Sequence, residues 1–176
     1  MMRRHVLAGL LASAVIAVGV ACDDDDPTGP VPEVFRATLN GTNEVPTRTT
    51  PATGTAELTL VGDQLSWVIT MSQITNVTAS HIHIGAAGVN GGILLPLTPP
   101  VSNTRIEGSA TRAQYAQNPP ASPNQGVTWD VLIAMMRAGT VYVNVHTSDG
   151  DATPNEGPGD FAGGEIRGQT ARISGP

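Results

Sequence analysis

GTAELTLVGDQLSWVITMS, residues 54–72, decides how this chain folds. Ala56, Leu58 and Leu60 alternate with Thr55, Glu57 and Thr59. After Gly62-Asp63 the alternation resumes with Leu65, Trp67, Ile69 and Met71. Alternate residues of a β-strand point to one side, so each run reads as a strand with one apolar face. The Gly-Asp break between them signals a hairpin.

Similar short runs extend outward in both directions: VFRATLN (34–40), ITNVTA (74–79), HIHI (81–84), GILLPL (92–97), TRIEGSAT (104–111), TVYVNVHT (140–147) and GEIRGQTARI (164–173). Short strands broken by Gly and Pro turns predict an all-β, antiparallel sandwich or barrel. One segment departs from this rhythm. TWDVLIAMMRAG (128–139) has helical spacing, with Trp129, Leu132, Ile133 and Met136 on one face. Thr128 suits its start, and Arg137 with Gly139 suits its end. The fold is therefore expected to carry one short helix near 128–138, preceded by the Pro/Asn-rich loop AQYAQNPPASPNQG.

The beginning of the chain has a different character. Arg3 and Arg4 precede an apolar run from Val6 to Ala21, the layout of a secretory signal peptide over 1–21. Cys22 follows Gly-Val-Ala, an arrangement that resembles a bacterial lipobox, although Gly19 stands where that pattern prefers Leu. The resemblance implies lipidation of Cys22 and a membrane-anchored lipoprotein of the cell envelope, periplasmic or at the cell surface. Ordinary signal cleavage is the alternative. DDDDPTGPVPE continues as an acidic, Pro-rich tether over 22–33, whose composition cannot bury apolar surface. A single folded domain is expected over 34–174.

Without residues 1–21 the chain has 7 basic and 15 acidic residues and no lysine. Nucleic acid is excluded as a partner, because phosphate binding needs clustered cations. One cysteine allows no intrachain disulfide, so the fold must rest on its core.

Strand parity locates the candidate site. In HIHI the histidines His81 and His83 oppose the isoleucines. In TVYVNVHT, Tyr142, Asn144 and His146 oppose three valines; in GEIRGQ, Glu165, Arg167 and Gln169 oppose Ile166. If the apolar sets share the core, the polar sets share an outer face. Three imidazoles with an open position suit copper or zinc, which makes His81, His83 and His146 a candidate metal set. The competing reading is a structural network in which Glu165 pairs with Arg167 and the imidazoles bond locally. Unconnected surface residues are the third reading.

The other motifs are weaker. The acidic loop 148–164 offers Asp149, Asp151, Glu156 and Asp160, the oxygen type calcium takes, but its spacing is not that of an EF-hand and a solvated loop explains it. GAAGVNGG (85–92) lacks the Lys of a phosphate loop and reads as a turn system. No G-x-S-x-G elbow occurs, so no catalysis is assigned.

ATLNGTNEVP (37–46), residues 52–72, SHIHIGAAGVNGGILLPL (80–97), GTVYVNVHT (139–147) and GGEIRGQ (163–169) resemble, in order, the CHRD domain first described in chordin. The resemblance implies an extracytoplasmic β-sandwich, immunoglobulin-like or superoxide-dismutase-like, acting as a binding or structural module for an unknown protein or small ligand. Chordin's role in growth-factor antagonism is not carried over, since fold does not fix function. The family's polar motif positions fall on Glu44, His81, His83, Asn144, His146, Glu165, Arg167 and Gln169. HIHIG is also similar to the copper-binding strand of Cu/Zn superoxide dismutase. That likeness stops there: residues 85–127 contain no histidine for a second metal, and the disulfide cysteines are absent.

Overall fold

The computed structural model describes residues 29–97, 103–121, 124, 126–151, 153 and 155–176. The signal segment, Cys22 and most of the tether lie outside the described residues. The opening hairpin forms as its alternation predicts. β2 (Thr53–Val61) and β3 (Gln64–Ser72) pair antiparallel, with Leu58 opposite Trp67 and Val61 opposite Gln64. Gly62 turns the chain at φ +56°, a conformation that costs Gly nothing and other residues strain. β1 (Glu33–Asn40) lies on the other side of β2, Phe35 opposite Leu58.

The remaining strands are β4 (Val77–Ile84), β5 (Ile93–Pro96), β6 (Arg105–Thr111), β7 (Val141–Thr147), β8 (Ile166–Gln169) and β9 (Ala171–Ser174). They form one antiparallel sheet in the order β5-β4-β7-β8-β1-β2-β3-β6, with β9 also on β1. The sheet is a half-barrel whose concave side holds the core. Two blocks meet at a narrow seam: β1 pairs with β8 at Asn40–Arg167 and with β9 from Val34 to Arg36. Phe35, Leu39, Leu58, Leu65 and Ile69 from one block pack with Ile82, Val143, Val145 and Ile166 from the other, all fully buried. Removing that apolar surface from water is the main force holding the curl, since no disulfide contributes.

The expected helix forms as α2 (Trp129–Arg137); the Thr128 hydroxyl accepts the Val131 N–H at 3.4 Å, and Trp129, Leu132, Ile133 and Met136 are its buried face. It is not alone. A second helix, α1 (Arg112–Gln117), occupies the start of the stretch expected to be loop. Thr111 and Gln114 close a capping box at its N-terminus, and Pro119-Pro120 follows its end. Two strand assignments also change. Part of 74–79 runs on through HIHI as one strand, β4. Residues 164–173 instead split at Thr170, which is buried and turns inward, its N–H and hydroxyl both reaching the Val141 carbonyl at 3.1 Å.

Candidate metal centre on the outer face of the sheet

Parity places the polar residues of β4, β7 and β8 together on the convex side. His81 lies opposite Asn144 and His83 opposite Tyr142; across the next ladder Asn144 faces Arg167 and Tyr142 faces Gln169. His146, opposite Ala79, sits diagonally from His81. One ring nitrogen from each of His81, His83 and His146 lies within 4.8 Å of the others.

Hydrogen bonds fix the state of each ring. His83 Nδ1 is 2.9 Å from the Gly91 carbonyl, and His146 Nδ1 is 2.9 Å from the Ala162 carbonyl. A carbonyl only accepts, so both Nδ1 atoms carry hydrogen and both Nε2 atoms present a lone pair. His146 Nε2 lies 2.9 Å from His81 Nδ1, which must then donate to it. His83 Nε2 is buried and has no partner at all. Burial drives the His81 and His83 pKa values down to about 4, with the neighbouring rings adding to the shift, and burial also lowers His146. At neutral pH all three rings are uncharged, the form that binds metal.

Behind the rings is a stack. The Tyr142 ring lies parallel to His83 at 5.0 Å, and the Arg167 guanidinium lies over the Tyr142 ring, 3.4 Å from its centroid. Arg167 is buried and donates to the carbonyls of Val89 (2.7 Å) and Ala86 (3.2 Å) and to Asn90 Oδ1 (3.0 Å). The Gly-rich turn 85–92 thus clamps Arg167 and orients His83. It is a turn system, as its sequence suggests, and it also supplies the carbonyl that holds His83.

The expected Glu165–Arg167 pair does not form. Glu165 is fully buried, and its carboxylate instead accepts from Thr50 Oγ1 (2.5 Å), Thr147 Oγ1 (2.7 Å) and the Gly159 N–H (2.9 Å). Glu165 lies just before β8, and its carboxylate turns to Thr147, which shares the inward parity of the β7 valines, while the turn 85–92 supplies the partners of Arg167. Glu44 reaches the site from the 41–51 segment and accepts from Asn144 Nδ2 at 2.9 Å. Burial pushes its carboxyl up to about 7, against the pull of Arg167 and Arg48. Gly164, at φ +125°, lets the chain pass over this pair; a Cβ there would lie 2.3 Å from Asn144 Nδ2. Gln169 Nε2 stands 2.8–2.9 Å from the carbonyls of Gly85, Gly139 and Val141 and anchors the end of β8.

The site residues thus divide into an imidazole triad and a supporting frame, with no carboxylate in the triad itself. Sequence reading put Tyr142 on the polar side of β7 but gave it no part in the site, and it missed Asn90 and Gly91, whose contributions come from a turn. In the acidic loop, carboxylates of Asp149, Asp151 and Asp160 lie within 4.8 Å of each other, and Asp149 and Asp151 accept backbone N–H groups of their own turns.

In a comparison against family models, the CHRD domain matches residues 35–154. The chain belongs to the CHRD-domain family. The matched span includes Glu44, His81, His83, Tyr142, Asn144 and His146. Glu165, Arg167 and Gln169 of this CHRD protein lie beyond the match, Arg167 and Gln169 on β8 and Glu165 just before it. No match emerges among curated proteins.

Proposed function

We propose that this CHRD domain is a non-catalytic module of the cell envelope that holds one copper or zinc ion on His81, His83 and His146. One observation carries the reading: His83 Nε2 is a buried lone pair without a partner, aimed among two further neutral imidazoles. Buried polar atoms are nearly always satisfied, and a metal ion is what this one lacks. The bonds at the far ring nitrogens support it, since metal-binding imidazoles commonly donate their other N–H to a carbonyl, as His83 and His146 do. Ligand bonds of about 2.0–2.1 Å at tetrahedral angles set donor atoms about 3.3 Å apart. Small ring rotations suffice, and the His81–His146 hydrogen bond opens when the ion enters. With three protein ligands the fourth position remains for water or a bound partner.

The test is elemental analysis of untagged protein beside His83→Ala. About one equivalent of copper or zinc in the first and a large loss in the second is expected; trace metal in both would leave the imidazoles as a metal-free network. The signal-like segment, Cys22 and the acidic tether support export and lipid anchoring, with a partner protein or small ligand met at the membrane surface. Cys22→Ala should release the protein into the soluble fraction, and continued sedimentation with membranes would remove the anchor from this reading.

A further inference from the structure

The half-barrel does not close, and its end strands leave a cavity of about 750 Å³ lined from both sides. That is within the usual range of small-molecule sites. Ile93, Leu95 and Leu97 come from the β5 side, Ala110 from β6, Trp67 from β3 and Tyr115 from α1. None of the three site histidines lines it, and no charged side chain does among the described residues. Two wall residues are unusual. Trp67 is 4% exposed and Tyr115 3%, yet the indole Nε1 and the phenol oxygen have no hydrogen-bond partner. Native interiors rarely leave such groups unpaired. The indole can only donate. Burial raises the Tyr115 pKa to about 12, so the phenol also keeps its hydrogen.

We infer that this cavity binds a neutral, mainly apolar small molecule carrying a carbonyl-type oxygen, which accepts hydrogen bonds from the Trp67 indole and the Tyr115 hydroxyl. The uncharged wall selects against ions, whose desolvation nothing there would offset. The apolar body fills the space between the end strands, and the oxygen satisfies the two donors. Both donor atoms are covered, and the inferred binding includes a side-chain rotation that turns them to the oxygen. The inference is independent of the metal centre, which lies on the convex face.

The probe is 6-propionyl-2-dimethylaminonaphthalene, a neutral aryl ketone whose emission moves to the blue in apolar surroundings. It is titrated into Cys22→Ser protein, which carries no acyl chain to compete. Saturable one-site binding with a blue shift is expected. 2-Dimethylaminonaphthalene, which lacks the ketone, should bind about twenty-five-fold more weakly, the scale of two net hydrogen bonds. Tyr115→Phe keeps the ring and should weaken the ketone about fivefold, the loss of one donor, while leaving the ketone-free probe unchanged. Ala110→Leu should weaken both probes. Non-saturable binding, or equal affinity of the two probes for the parent protein, would overturn the inference. That second comparison needs no cavity variant and stands even where a substitution disturbs folding.

Discussion

Two parts of one sheet carry polar residues at every second position, and they meet different fates. On β1 and β2 the convex side presents Arg36, Thr38, Thr55 and Glu57 to water, and the Arg36–Glu57 ion pair (2.7 Å) is about half exposed. On β4, β7 and β8 the equivalent positions hold His83, Asn144 and Arg167, all buried. The pleat is the same in both. What differs is the cover: the 41–51 segment, the turn 85–92 and the loop before β8 lie over the second region and supply its hydrogen-bond partners. Exposed groups exchange partners with water at little cost, whereas covered groups need fixed ones. Cover, rather than polarity of sequence, turns one face into a site.

The widest separation between the two regions should appear on removing a carboxylate from each. Glu165→Ala strands the buried Thr147 hydroxyl, the half-buried Thr50 hydroxyl and the Gly159 N–H and is expected to lose about 3–5 kcal/mol in urea unfolding. Glu57→Ala on the open face should lose under about 1 kcal/mol. Similar losses at both positions would erase the distinction. Next in size is the metal response. Copper or zinc at a hundredfold excess over its dissociation constant should stabilise the parent protein by about 2.7 kcal/mol and leave His83→Ala unmoved; an equal response in the variant would place the ion elsewhere.

Acid sharpens the comparison further. His81 and His83 titrate near 4 in the folded, metal-free protein against 6.5 without burial. Below pH 6.5 the unfolded chain takes up protons that the native rings refuse, so their contribution to stability is lost as pH falls towards 4. Glu44 acts in the opposite sense: raised from 4.5 to about 7, it favours the fold at low pH, and that contribution is lost as pH rises through 7. Two rings outweigh one carboxyl. Denaturation midpoints of chelated protein should therefore drop between pH 6.5 and 4.5, more steeply in Glu44→Gln; a flat profile would argue that the rings are hydrated. The smallest effect concerns a feature outside both faces. Thr111→Ala removes the cap of α1 and should cost about 1 kcal/mol.

Much of this arrangement could be read from residue order. The Gly62-Asp63 hairpin and the inward sides of Ile82, Val143 and Ile166 follow from alternation, because a period of two admits only two assignments. The imidazole triad followed once those sides were shared. Helix α1 was legible but overlooked: Thr111 and Gln114 spell a capping box, yet six residues give too little periodicity to stand out beside the following prolines. The fates of Glu165 and Arg167 were not legible. Arg167 lies on the expected face and Glu165 just before the strand, and their partners come from Thr50, Val89 and Gly159, because loop paths leave no periodic trace in sequence.

Arg167 occupies two places at once. Its backbone stands opposite Asn40 at the only β1–β8 pair, and its guanidinium presses the ring that backs His83. Amide exchange at Asn40 should therefore slow when the imidazoles are loaded, making the join between the two blocks a gauge of what the histidines hold.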